Sequence, residues 1–264
     1  MIRLDGVGQV FEGRGGRIQA LEGIDLHVQE NEFVTLIGRS GCGKSTLLRL
    51  IAGLLPPTAG GIRVAGMPVT GPRQDVSFMF QRPALLPWRS VVSNVMLPVE
   101  ISGGDSGRSK AQYRDRAHEL LELVGLTGFE RRLPHELSGG MQQRVSLCRS
   151  LIRSPKVMLM DEPFSALDAL TRTEMSAELQ RVQMELATTI VFVTHSIEEA
   201  VVLADRVVVL TPRPGQVREI VEIEIPRPRS LGQNEYLTEV AQVSSRLHGL
   251  LEHERPVDTS EARR

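Results

Sequence analysis

Hydrophobic runs divide the chain into segments typical of buried strands and segments typical of helices. Phe33–Ile37 is an apolar, partly β-branched run, and residues 156–160 and 189–194 have the same character. Runs of this length without polar interruption indicate strands that are covered on both faces. Residues 168–187 and 196–204 have helical composition and alternate with these runs along the chain. The pattern predicts an α/β fold with a mainly parallel sheet.

The N-terminal segment has a different pattern. Short strands are expected at 3–11, 17–21 and 24–28, with glycine-rich turns between them, and residues 24–28 alternate apolar with polar. Such alternation is typical of a sheet with one face in water. We therefore predict an N-terminal antiparallel β subdomain, and further strands at 62–69 and 75–80.

A mainly helical block is expected at residues 82–155, inserted into the α/β pattern. Ser90 begins one helix, residues 110–124 are amphipathic, and a third helix runs from Ser138 to about Arg153. The prediction therefore divides the chain into three parts: an α/β core with the β subdomain at 1–81 and 156–228, the helical subdomain at 82–155, and a C-terminal helix and charged tail at 229–264.

The end of the chain is expected to add little to the core. Strands are predicted at 207–210 and 216–225, and the proline-containing residues 226–229 are interpreted as an extended linker. One amphipathic helix then carries Leu237 to Leu250 on one face, and a frayed, charged end is expected from Glu252.

Composition excludes several classes of function. The 264 residues carry a formal net charge of −1, so the electrostatic signature of a nucleic-acid-binding protein is absent. The two cysteines, Cys42 and Cys148, have no spacing typical of a metal site and suit a reducing compartment. No uncharged apolar run approaches the roughly 18 residues that span a bilayer. A protein that works at a membrane would then do so from outside the lipid.

The most specific motif is the phosphate loop Gly38–Ser45, with sequence GRSGCGKS, between a predicted strand and a predicted helix. Its glycines let backbone N–H groups converge on phosphate oxygens at a helix N-terminus. Lys44 is expected to reach the β and γ phosphates, and the Ser45 hydroxyl to ligate Mg²⁺. The motif predicts a site for a nucleoside triphosphate, formed by the following residues: Gly38, Arg39, Ser40, Gly41, Cys42, Gly43, Lys44, Ser45 and Thr46.

Asp161 and Glu162 follow a predicted buried strand, and His195 follows the next one. In an open parallel sheet the carboxyl ends of the strands hold the ligands. Asp161 is interpreted as the carboxylate on the Mg²⁺ side. If the backbone stays extended, Glu162 aims elsewhere and can polarise a water that faces the γ-phosphate.

Two further features leave alternatives open. Ser138, Gly139 and Gly140 begin a helix, so they form either a second anion-binding surface or a simple helix cap. Phe11 precedes the glycine loop, where it either stacks on an adenine ring or belongs to the core at a strand end.

Taken in order, these motifs resemble those of the ATP-binding cassette ATPases of membrane transporters, over residues 2–228. The resemblance includes the phosphate loop, Gln81, the 137–144 signature, residues 158–168 and His195. It implies ATP hydrolysis with Mg²⁺ and a head-to-tail pair of cassettes, in which Ser138, Gly139 and Gly140 face the phosphates on the other copy. The family's usual signature has glutamine where this chain has Met141.

The resemblance also implies roles for single residues. Glu162 would be the catalytic base, His195 the γ-phosphate switch, and Gln81 a sensor of Mg²⁺ and water. Asp168 would contact the partner cassette, and Phe11 would be the adenine-stacking aromatic. The implied metal site comprises Ser45, Gln81 and Asp161.

Within the family, residues 81–88 with Asn94 and Val95 after them resemble importers of the nitrate/sulfonate/taurine group, and residues 212–215 and 226–229 look similar too. The implied function is the ATP-hydrolysing subunit, at the cytoplasmic face of the inner membrane, of an importer for a small anion. Its implied partners are an identical cassette, an integral-membrane permease contacted by residues 81–88 and an external substrate-binding protein, with no nucleic acid. Leu85, Leu86 and Trp88 are expected to dock the permease, with packing under a proline turn as the alternative. The alternative function is a soluble cassette ATPase that acts on nucleic acid or ribosomes.

Overall fold

The computed structural model describes residues 1–13, 16–102, 108–230 and 236–252. The described residues form ten strands, β1 (Ile2–Gly13), β2 (Gly16–Val28), β3 (Phe33–Ile37), β4 (Ala59–Val64), β5 (Met67–Pro68), β6 (Val76–Met79), β7 (Val157–Asp161), β8 (Thr189–Val193), β9 (Arg206–Leu210) and β10 (Val217–Glu222).

The helices of the described residues are α1 (Lys44–Ile51), α2 (Val91–Val95), α3 (Leu97–Ile101), α4 (Lys110–Leu123), α5 (Gly139–Leu151), α6 (Ala169–Leu186), α7 (Ile197–Leu203) and α8 (Leu237–Glu252). A short 3-10 turn, Pro134–Glu136, precedes α5.

The larger sheet has six strands in the order β10-β9-β3-β8-β7-β6. All neighbours in it are parallel except β10 and β9, which are antiparallel. The predicted mainly parallel sheet is therefore confirmed. Because β3 and β7 both lie beside β8, the residues that follow these three strands meet at one edge of the sheet.

Alternate residues of the parallel strands face two separate cores. Phe33 and Phe192 point into a core shared with α2 and α4–α8, while Val34 and Val191 point into a core shared with α1 and the N-terminal sheet. This arrangement explains why the predicted strands are apolar at every position, since both faces of the sheet are covered. The molecule is thus layered as helices, parallel sheet and antiparallel sheet.

The smaller sheet is antiparallel in the order β2-β1-β4-β5, as the N-terminal pattern predicts. Two details of the prediction are wrong. Residues 17–21 and 24–28 belong to one strand, because a bulge at Gly23 (φ 56°) carries β2 through the glycine. Residues 62–69 are not one strand, because Ala65 and Gly66, both with positive φ, turn β4 back into β5.

The segment 226–229 is not a free extended linker, contrary to the prediction. Arg229 is buried, and its guanidinium donates hydrogen bonds to Val201 O, Ala204 O, Ile223 O and Ile225 O. Burial lowers the pKa of Arg229 to about 10. These bonds satisfy carbonyls at the end of α7, so the segment is fastened to the core.

Helix α8 covers the helical side of the sheet near β9, with Leu247 fully buried. Arg218 of β10 holds its end through a 2.7 Å bond to Leu250 O. The frayed, charged end predicted from Glu252 lies almost entirely outside the described residues. Across the described ranges, every helix is too short or too polar to cross a membrane.

Candidate functional site

The phosphate loop connects β3 to α1, as its sequence predicts. Gly43 adopts φ 107°, and a Cβ there would lie 2.5 Å from Leu21 Cδ2, so the turn requires glycine. Lys44 is buried, and its ammonium donates to Gly38 O at 2.8 Å and to Arg39 O at 3.3 Å. The backbone of the phosphate loop therefore encloses the Lys44 ammonium.

Ser45 and Asp161, predicted as metal ligands, are in direct contact. Ser45 Oγ donates a 2.7 Å hydrogen bond to Asp161 Oδ1. Burial raises the pKa of Asp161, and the bond from Ser45 partly opposes that shift. A hydroxyl and a carboxylate that share a site are the hard oxygen donors that Mg²⁺ prefers.

Glu162 and His195 form a second contact at the same edge of the sheet. Glu162 Oε2 lies 3.5 Å from His195 Nδ1. The backbone at Glu162 is not extended but left-handed, with φ 47°, and its N–H bonds to Val193 O at the end of β8. The expected divergence from Asp161 still holds, because Asp161 turns to Ser45 and Glu162 turns to His195.

Gln81 lies beside the Glu162 loop. Gln81 Nε2 donates to Ser165 Oγ at 2.9 Å, and Ser165 Oγ donates in turn to Glu162 O at 2.9 Å. These two hydrogen bonds link Gln81 to the backbone of Glu162. The role of Gln81 as a metal ligand with Ser45 and Asp161 stays a prediction. Ser165 is absent from the predicted site residues, although serine hydroxyls in turns often bond to the backbone three residues earlier.

An open cleft of about 440 Å³ joins the phosphate loop to the N-terminal sheet. Phe11 lies in its wall and is 41% exposed, so its interpretation as a core aromatic is wrong. The cleft also contains Lys44 and Glu162, and its remaining walls are lined by Ile18, Ala20, Ser40, Gly41, Gly43, Ser45, Thr46 and Arg213. An aromatic ring, a cation and phosphate-binding backbone thus face one space.

Arg213 was missed by the sequence reasoning. Its Nε and Nη2 both donate to Gly41 O, at 3.4 and 3.2 Å, in the wall of the cleft. Its turn is held to β2, because Gly215 N donates to Ala20 O and Gly215 O accepts from Glu22 N. Arg213 lies between two prolines, and because proline fixes the backbone φ angle, this pattern indicates a side chain held on a rigid turn.

The Ser138–Gly140 segment begins α5 and does not line the cleft of its own chain. Ser138 Oγ accepts from Met141 N at 3.3 Å, so the helix-cap interpretation is realised, and an anion-binding role stays a prediction. Asp168 caps α6 in the same way, accepting from Thr171 N at 3.0 Å, and these bonds lower the pKa of Asp168.

Residues 81–88 cross the surface between β6 and α2. Trp88 is 73% exposed, whereas Leu85 is half-buried and packs against the helical core. The buried Asn94 side chain fixes the segment, accepting from Leu86 N at 2.7 Å and donating to Arg89 O at 2.9 Å. Of the three predicted docking residues, Trp88 offers the largest exposed surface and Leu85 is shared with the core.

This fold and site define a P-loop ATPase, since the loop, the strand-end carboxylates and the histidine are held in one arrangement at the edge of a parallel sheet. The sequence profile of the ABC transporter family matches residues 21–165. The chain belongs to this family and is an ATP-binding ATPase.

Several curated proteins are similar to this chain. An uncharacterized ABC transporter ATP-binding protein of Methanocaldococcus jannaschii is 47% identical, over 89% of this chain and 87% of its own length. A nitrate import ATP-binding protein of Synechococcus elongatus is also 47% identical over 86% of this chain, which spans only 35% of that protein. An aliphatic sulfonates import ATP-binding protein of Bacillus cereus is 41% identical over 87% of this chain and 88% of its own length.

A solved structure of a dimeric ATP-binding cassette, bound to ADP and phosphate in a post-hydrolysis state, has the same fold. It is 31% identical, with a TM-score of 0.73, over 86% of this chain and all of that one.

Proposed function

We propose that this chain is the ATP-hydrolysing subunit of an importer for a small anion of the nitrate or sulfonate class. The similarity to nitrate and sulfonate import ATP-binding proteins supports the class of cargo. The proposed division of labour follows the predicted domains: residues 1–81 and 156–228 bind and hydrolyse ATP, and residues 82–155 carry the signature. On this proposal the protein works at the cytoplasmic face of the inner membrane.

The observation that carries the enzymatic part is the pairing of Ser45 with Asp161 beside the pairing of Glu162 with His195. Lys44 would bind the β and γ phosphates of ATP, and Phe11 would stack on the adenine. Ser45 and Asp161, with Gln81, would hold Mg²⁺, which neutralises charge on the phosphates.

Glu162 acts as general base in this proposal. It accepts a proton from the attacking water while the water oxygen bonds to the γ-phosphorus and the bond to the leaving ADP oxygen breaks. His195, 3.5 Å away, restrains the Glu162 carboxylate and faces the γ-phosphate.

The site is proposed to be completed by a second copy of the chain. Ser138, Gly139 and Gly140 lie outside the cleft of their own chain, at a helix N-terminus that suits an anion. The dimeric form of the similar cassette supports a pair in which each signature faces the partner's phosphates and Asp168 contacts the partner.

A permease is proposed to dock on residues 81–88. The exposure of Trp88 supports this surface, and the bond from Gln81 to Ser165 links it to the Glu162 loop. An external substrate-binding protein would act through the permease. The names of the similar proteins give no support to the alternative, an ATPase acting on nucleic acid or ribosomes.

The test is purification of the tagged chain from native membranes in mild detergent. We expect an integral-membrane permease to co-purify, and the reconstituted complex to hydrolyse ATP faster with nitrate or an alkanesulfonate and the matching binding protein. Trp88→Ala should lose the permease and keep the ATPase activity of the isolated cassette, whereas Leu54→Ala, at an exposed apolar residue outside residues 81–88, should lose neither. Wild-type protein without a permease partner would contradict the importer assignment.

A further inference from the structure

Two loops that flank the site are joined by one ion pair. Arg172 Nε of α6 lies 3.5 Å from Glu199 Oε1 of α7. Helix α6 begins directly after Asp168, and α7 begins at Ile197, two residues after His195. The pair thus connects the two helices that start from the Asp168 loop and the His195 loop.

Glu199 is bound to the His195 loop itself. It is 7% exposed, and its Oε2 accepts a hydrogen bond from Thr194 Oγ1. The same hydroxyl accepts from Ser196 N at 3.0 Å, and Glu199 N donates to Ser196 Oγ at 3.2 Å. Both neighbours of His195 are therefore bound to Glu199, Thr194 through the buried carboxylate and Ser196 through the backbone N–H.

Arg172 is bound to the Asp168 loop. Its Nη2 donates to Leu167 O at 2.9 Å, and its backbone N–H donates to Asp168 O at 2.9 Å. The buried Nε has no hydrogen bond of good geometry, so its charge is balanced by Glu199 through the 3.5 Å contact. One guanidinium therefore touches the carbonyl that precedes Asp168 and the carboxylate that anchors the His195 loop.

A pair of this kind is a poor stabiliser, because desolvation of two charges offsets their attraction. Its effect is instead geometric: one planar guanidinium contacts both Leu167 O and the Glu199 carboxylate, and this limits how far the two loops can move relative to each other. Glu162 precedes both loops in sequence, and its Oε2 lies 3.5 Å from His195 Nδ1.

We propose that Arg172 and Glu199 are positioning residues that couple the His195 loop to the Asp168 loop, so that both loops reach their places in the closed site together. Neither residue touches the nucleotide; they act through His195 and Asp168. The inference rests on the proposed function, which assigns His195 to the γ-phosphate and Asp168 to the partner cassette.

The experiment is steady-state ATP hydrolysis by Glu199→Gln, Arg172→Gln and the double variant. Glu199→Gln keeps an acceptor for Thr194 and removes only the charge. We expect each single variant to lower kcat about tenfold with a KM for ATP within about twofold of wild type, since loop misplacement affects the reacting geometry more than binding. The double variant should lose no more than the worse single variant.

The matched control is Glu198→Gln, which removes the charge of the exposed neighbour on the same helix and should leave kcat and KM unchanged. Arg172→Lys keeps the charge but not the planar fork, so it should recover part of kcat. Additive losses in the double variant, or a loss seen only in thermal stability, would overturn the coupling. Wild-type protein that does not hydrolyse ATP would instead refute the proposed function.

A second readout covers variants that fold poorly. In a Glu162→Gln background, ATP-dependent dimer formation is measured by size-exclusion chromatography with and without Glu199→Gln. We expect the added substitution to lower the fraction of dimer at saturating ATP about tenfold, with little change in the ATP concentration that gives half of the maximal dimer. An unchanged dimer fraction at saturating ATP would contradict the proposal, whereas a Glu162→Gln protein that never dimerises would contradict the dimer model.

Discussion

Ser45 Oγ donates a 2.7 Å hydrogen bond to Asp161 Oδ1, although the two residues are 116 positions apart. The contact exists because β3 and β7 lie on either side of β8, so residues that follow β3 meet the end of β7 at one edge of the sheet. The order of the strands by itself therefore places a hydroxyl in contact with a half-buried carboxylate.

Burial of its carboxylate makes Asp161 a costly residue for stability, and the bond from Ser45 offsets only part of that cost. Burial raises its pKa, so the folded state binds the proton more tightly than the unfolded state does. Its contribution to stability therefore falls as pH rises from the ordinary carboxyl pKa to the raised value, and the cost is complete above that value. We expect Asp161→Asn to abolish ATP hydrolysis while matching or exceeding wild type in thermal unfolding at pH 7 without Mg²⁺ or ATP. A lower unfolding temperature at that pH would contradict this account.

Lys44→Ala is expected to weaken nucleotide binding about 10- to 100-fold, because a charge-assisted hydrogen bond contributes about 1.5–3 kcal/mol. Titration with a fluorescent ATP analogue measures the change. Lys110→Ala, at an exposed lysine on α4, is the control and should bind normally. Normal binding by Lys44→Ala would refute the phosphate-loop assignment.

Glu162→Gln is expected to lower kcat by about 10²–10⁴-fold, the usual contribution of a general base, and to accumulate an ATP-stabilised dimer. Phosphate release and gel filtration with MgATP measure the two effects. Glu122→Gln, at an exposed glutamate on α4, should change neither. Unchanged turnover in Glu162→Gln would exclude Glu162 as the base.

Gly140→Ala is expected to destabilise the protein by about 1–3 kcal/mol, because its new Cβ would lie 2.5 Å from Thr171 Cγ2. Gly139→Ala is the matched control, since the nearest atom to its Cβ is Leu167 Cδ2 at 3.9 Å. Urea unfolding of the two variants measures the difference. Equal midpoints would mean that α5 and α6 separate readily at this contact.

Arg213→Ala is expected to weaken ATP and ADP binding about 2- to 10-fold, because two hydrogen bonds to Gly41 O orient the loop peptide that precedes Cys42. Arg218→Ala removes a guanidinium from β10, where it bonds to Leu250 O away from the cleft, and should bind nucleotide normally. If the two variants bind ATP and ADP equally well, the hydrogen bonds from Arg213 do not orient the phosphate loop for nucleotide binding.

Much of the fold is predictable where the signal is local. The turn at Gly43 needs glycine, and the strand before it is apolar at every position, so strand, loop and helix are readable together. The errors arise where distant partners decide. Gly23 looks like a strand break until β1 pairs across its bulge, and Arg229 looks like part of a linker until α7 offers its carbonyls.

The sequence by itself determined the chemistry of the site: a phosphate loop with Lys44 and Ser45, carboxylates at Asp161 and Glu162, and a histidine at 195. Composition and spacing suffice for these because each motif folds within one strand–loop or loop–helix unit. Only the tertiary structure decided which side chains meet: Ser45 with Asp161, Glu162 with His195, and Arg172 with Glu199. Those pairings depend on the order of strands in the sheet, and that order is set by burial of both sheet faces rather than by any local pattern.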